Sequence, residues 1–203
     1  MSIGQYNLQQ DLVEAEAMVH TMPGYVRQDN LFYTLGGTLP QMTLGGFLIR
    51  SRRLRLFQDR LSAKEVVTLH DIENRHRDVL DEWRYHYVKM IGAEVLSRQR
   101  TVTYFLNECA EDLTSCQHVY RPEAFRRTAI QHVVEIMKRL QVDNLDVVSQ
   151  DIGHLDQGLQ AVLERDEFLW DDELRPIYPE DTYWWLYCKP IKSDEATTTG
   201  LPN

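Results

Sequence analysis

No stretch of this 203-residue chain approaches 18 consecutive apolar residues, so none reads as a membrane-spanning helix. A Gly-rich phosphate loop, a Gly-x-Ser-x-Gly elbow, a Cys-x-x-Cys and a His-Glu-x-x-His are all missing. Their absence removes the enzyme classes that carry those linear signatures, though not helical-bundle sites, which often have none. Cysteine is scarce: only Cys109, Cys116 and Cys188 are present. On one continuous helix Cys109 and Cys116 would stand two turns apart, about 10 Å along the axis, which is beyond disulfide reach. The expectation is reduced thiols and a cytoplasmic protein, and Met1–Gln5 lacks the basic region and apolar core of a signal peptide. Cys188 has no base partner in the sequence to make it a nucleophile. Positive charge is also short, 22 Lys and Arg against 31 Asp and Glu, a net charge of −9. That balance argues against nucleic acid binding by the surface as a whole. No run alternates as an amphipathic strand does.

What is present is helical periodicity. Ser62-Ala63-Lys64-Glu65 has the form of a capping box. Val66, Leu69, Ile72, Val79, Trp83, Tyr87, Ile91, Val95, Val102, Phe105, Cys109, Leu113 and Cys116 then recur in steps that place them on one stripe. A straight helix over 62–116 would measure about 80 Å, longer than a domain of this size. A kink or break is therefore expected, with Gly92 and Thr101-Val102-Thr103 as the weak points.

Shorter helices flank this run. One is predicted over 7–20 and stopped at Pro23-Gly24. A second runs from near Pro40 to Leu61, with Gly45-Gly46 either allowing a close approach or marking a later start. A third opens at Pro122, and a fourth follows Asn144. Beyond Phe168 the period is lost, and residues 168–187 gather seven of the chain's 20 aromatics. The tail from Lys192 is polar and Thr-rich, a composition that predicts disorder. The fold class is all-α: an antiparallel up-and-down bundle around the 62–116 helix, with the aromatic segment packed on it. Residues 1–191 read as one domain and 192–203 as a tail.

Three constellations compete for function. Glu73-x-x-His76 and Asp151-x-x-His154 have the i, i+3 spacing that lets a carboxylate and an imidazole grip one metal, as in di-iron carboxylate bundles. Glu14 or Glu16, with Glu135 or Glu111, would supply the remaining ligands for two iron or manganese ions. The competing reading makes His76 a hydrogen-bonded core histidine and leaves Asp151 facing water. Arg50, Arg52, Arg53, Arg55 and Arg60 crowd five cations into 11 residues, a cluster suited to an anion or an acidic partner. The same cluster also suits pairing with the acid-rich segment from Glu164 to Asp181. No aromatic platform interleaves these arginines, which weighs against single-stranded nucleic acid. Tyr183, Trp184, Trp185 and Tyr187 are either interface anchors or a plug over the bundle end. Glu94 and Arg98, at i, i+4 beside the apolar stripe, read as a packing pair.

The sequence favours a non-catalytic cytoplasmic interaction or scaffold protein with no cofactor and no membrane attachment. It would self-associate or bind a protein partner through the arginines or the aromatics. The rivals are a carboxylate-bridged di-metal oxidase-type enzyme, and an anion or nucleic-acid binder through Arg50–Arg60.

Overall fold

The computed structural model describes residues 6–191; the tail expected over 192–203 lies outside them. Seven α-helices are described: α1 (Leu8–Tyr25), α2 (Leu44–Leu56), α3 (Ala63–Glu82), α4 (Arg84–Glu111), the single turn α5 (Leu113–Cys116), α6 (Tyr120–Leu140) and α7 (Leu145–Val162). Two three-residue strands, β1 (Leu163–Arg165) and β2 (Cys188–Pro190), pair antiparallel and tie the C-terminal segment to the end of α7. No described helix is long and apolar enough to cross a membrane.

Side-chain caps set the starts of α1, α2 and α3. The Asn7 side chain accepts from the Gln10 N–H, Thr43 accepts from Gly46, and the Ser62–Glu65 capping box is fully formed. Pro23 does not stop α1; it sits in the last turn, and the helix closes with the Val26 N–H on the Met22 carbonyl. Gly45-Gly46 mark the later start of α2. α6 ends at Gln141, which adopts a left-handed conformation (φ 55°) while the Val142 N–H reaches back to the Met137 carbonyl.

Neighbours in the chain run antiparallel. Arg50 and Arg53 of α2 meet Glu14 and Asp11 of α1 in reversed order. Phe105 packs on Tyr120 at one end of the α4–α6 pair, and Arg84 donates to the Leu140 carbonyl at the other. Arg127 of α6 grips Asp156 of α7 through two hydrogen bonds of 2.6 and 2.8 Å. The bundle is therefore up-and-down, with a core formed by the inward stripes of all the long helices.

The 62–116 run is interrupted, but not where expected. Gly92 and Thr101–Thr103 lie inside α4, whereas the breaks fall at Trp83 (φ −119°, ψ 28°) and Asp112. Packing accounts for the first break. α3 turns aside to lie along α1, while α4 continues between α6 and α7. Across the elbow, His76 and the Tyr87 hydroxyl come within 3.0 Å, and Arg27 stacks on the Trp83 ring at 4.7 Å. The second break corrects the thiol expectation. Because α4 ends at Glu111 and α5 folds back, Cys109 and Cys116 come to 5.5 Å between Cα atoms and form a disulfide. Cys188 remains a buried free thiol. The inference of a reducing compartment rested on those thiols and loses that support.

The aromatic segment is the plug. Tyr183, Trp185 and Tyr187 are buried, and Trp184 is partly buried. The Trp185 indole donates to Thr128, and the Arg127 guanidinium lies 3.9 Å from the centre of the Trp185 ring. The rings of Trp170, Tyr178, Tyr183 and Trp185 follow one another edge to face.

Candidate functional site

Helix α2 presents the arginine cluster on two faces, because residues 50 and 53 share a side of the helix that 52 and 55 do not. The first face turns to α1. Arg50 holds Glu14 at 2.5 Å and donates to the Gly46 carbonyl. Arg53 pairs with Asp11 at 3.5 Å, donates to the Tyr178 hydroxyl, and lies against the rings of Tyr6, Trp170 and Tyr178. These two arginines are committed to the fold. Arg60, on a 3-10 turn after α2, pairs with Glu173 of the acid-rich segment.

The second face opens on a cleft. Leu48, Arg52, Arg55 and Leu56 of α2 oppose His132, Glu135 and Arg139 of α6 across about 370 Å³. The spacing 48, 52, 55 meets 132, 135, 139, so one stripe of each helix lines the walls. A second lobe of about 280 Å³ adjoins it, shares Leu48, Arg55 and Arg139, and adds Glu73, His76 and Arg77 of α3.

The cations here are incompletely paired. Arg52 reaches Glu135 and the Ile177 carbonyl only at 3.4 Å each, and Arg55 donates to the Ser51 carbonyl at 3.3 Å and reaches Glu73 only at 3.7 Å. The Arg139 side chain is exposed and makes no ion pair or hydrogen bond among the described residues. The buried Nε of Arg52 and Nε2 of His132 also have no hydrogen-bond partner there. Partial burial lowers the Arg55 pKa from its ordinary value; Glu73 offsets part of this, and the positive charges of Arg139 and Arg52 add to it. Burial, helped by Arg55 and Arg139, pushes His76 down to about 4, so it is neutral at pH 7. Burial likewise lowers His132. The cost of burying the Glu135 carboxylate is outweighed by His132 and Arg52, which hold its pKa down to about 2. Tyr183 donates to the same carboxylate. A like-charged group of guanidiniums over a partly dry floor is stabilised by any anion that enters.

Of the expected metal residues, Glu73 and His76 line the second lobe, while Asp151 and His154 are exposed on α7 beside a different groove against α4. The structure does not bring the two pairs together. Among the described residues, no group of three or more metal-ligating side chains converges. Glu14 is taken up by Arg50, Glu16 and Glu111 are exposed, and Glu135 belongs to the cleft. His76 sits as a hydrogen-bonded histidine between Phe47 and Tyr87. Of the aromatics considered as interface anchors, only Trp184 keeps appreciable exposure.

Sequence reading missed the α6 half of the cleft. His132, Glu135 and Arg139 stand at i, i+3 and i+7 beside the apolar stripe, a polar line on an otherwise core-facing helix. That line was the available signal, but nothing in it pointed to α2, some 80 residues earlier. No protein-family model, curated protein sequence or solved structure matches the chain.

Proposed function

We propose that the protein is a non-catalytic binding protein whose cleft between α2, α3 and α6 receives an acidic group. The observation that carries this reading is Arg139, a cation without a protein partner among the described residues, facing two arginines that are only loosely paired. Arg50 and Arg53 are largely buried and paired, whereas Arg55 and Arg139 stand exposed at the mouth of the cleft, where an entering anion can reach them. The surrounding protein is acidic, with a net charge of −9, so the cleft is a local reversal of sign and selects by charge. The sequence expectation of an interaction protein using its arginines is retained here in narrower form, with Arg52 and Arg55 but not Arg50 and Arg53 as the contacts.

The test is thermal unfolding of the whole chain in inorganic phosphate against chloride at matched ionic strength. At ten times the dissociation constant, a ligand specific to the folded state adds about 1.4 kcal/mol. A rise in Tm is expected for the natural protein, and none for the Arg55→Gln/Arg139→Gln double variant. Equal responses of the two proteins, or equal effects of phosphate and chloride, would defeat the reading.

A further inference from the structure

The cleft is divided in a way that speaks to its ligand. Arg55 and Arg139 stand between the two lobes and line both, over a shared apolar floor at Leu48. Each lobe then has its own outer arginine, Arg52 in one and Arg77 in the other. Each also has its own carboxylate, Glu135 beside Arg52 and Glu73 beside Arg55. Four guanidiniums against two carboxylates leave two positive charges along the double cleft.

One monovalent or divalent ion does not use this arrangement. Placed between Arg55 and Arg139, it leaves Arg52 and Arg77 without a ligand contact. Placed in either lobe, it leaves the other lobe's outer arginine idle. The lobes, about 370 and 280 Å³, are also each many times the ~30 Å³ of a water molecule and lie in the size range of small-molecule sites. Resting on the anion-binding reading above, we infer that the natural ligand is one small molecule carrying two acidic groups on a short carbon spacer. One group lies in each lobe, and the spacer crosses Leu48. Arg55 and Arg139 contact both groups, and Arg52 and Arg77 each hold one. Organic bisphosphates and dicarboxylates share this chemistry.

The experiment is calorimetric titration of the whole protein with inorganic phosphate, with alkane bisphosphates of three to six carbons, and with dicarboxylates of the same lengths. Joining two groups makes the second contact intramolecular, so the best bisphosphate or dicarboxylate should bind about 100-fold or more tighter than phosphate, at one per chain. In Arg77→Gln that advantage should collapse to a few-fold while phosphate binding changes little, because Arg55 and Arg139 remain. Arg77 is exposed and donates only to the Asn74 side chain among the described residues, so this variant keeps the fold. A dicarboxylate exceeding the bisphosphates supports the inference and assigns carboxylates as the acidic groups. Phosphate binding with no gain for any two-headed ligand, or a gain untouched by Arg77→Gln, overturns this inference and leaves the anion-binding reading intact. No binding by phosphate or by any two-headed ligand overturns both.

Discussion

The two ends of α2 handle charge in opposite ways. At its start, Glu94 of α4 is fully buried, and its carboxylate accepts from the backbone N–H groups of Leu44 and Gly45 at 2.9 and 3.0 Å. Arg98 donates to Glu94 at 2.8 Å and to Thr43 at 3.0 Å. Every participant is satisfied, and the carboxylate also favours the positive end of the α2 dipole. At the other end, Arg52 and Arg55 have long, partial pairings and crowd together with Arg139, whose side chain has none among the described residues. Both sites use Glu and Arg, but Glu94 and Arg98 come from one helix, α4, whereas the open end sets arginines of α2 against Glu135 and Arg139 of α6. A closed network of these residues fixes structure, whereas an open, like-charged one keeps unbalanced charge that an anion would offset.

The largest effect should come from opening the closed end. Glu94→Ala leaves Arg98 buried without its partner and two α2 N–H groups without an acceptor, which should cost about 3–5 kcal/mol. Urea denaturation would measure this, and a loss below about 1 kcal/mol would break the comparison. Gly45→Ala probes the same knot by volume. A Cβ there would stand 2.6 Å from the Glu94 carboxylate and 3.0 Å from the Ala129 methyl. Overpacking of this kind costs about 1–3 kcal/mol, read in the same experiment.

Acid tests the floor of the open end. His76 has a folded pKa of about 4, below the ordinary 6.5, so the unfolded chain binds the proton more readily. Its contribution is therefore intact above pH 6.5 and is lost as pH falls from there toward 4, up to about 3 kcal/mol. The lowered His132 acts in the same direction. Tm measured from pH 7 to 4.5 should fall less steeply in His76→Gln, and parallel curves would remove His76 from this role.

The smallest effect separates the two ends most sharply. Arg139→Gln should change stability by no more than about 0.5 kcal/mol, and relief of repulsion makes a slight gain the expected sign. A loss of 2 kcal/mol or more would mark Arg139 as structural and close the comparison.

Some of this was legible in the residues. The Ser62–Glu65 box, the stripes of α6 and α7, and the Glu94–Arg98 spacing announced their structures because capping and amphipathicity are local, set within a turn or two. The break at Trp83 was not, since neither Pro nor Gly stands there and the elbow answers to α1, α6 and α7. The Cys109–Cys116 bridge was hidden by the same assumption of continuity. Half of the cleft was visible as the arginine run; the other half needed α6 to be placed against it.

Sequence alone determined that this chain is an all-α bundle, because helix caps and apolar periodicity act on neighbouring residues whatever the rest of the chain does. Tertiary structure decided which arginines are fully paired and which are left loosely paired at the cleft. Arg50 and Arg53 found Glu14, Asp11 and Tyr178 on the α1 side, while Arg52 and Arg55 found another cation, Arg139, across the cleft. The free energy of a charged group depends on what stands within a few ångströms of it, and packing of helices distant in sequence supplies those neighbours.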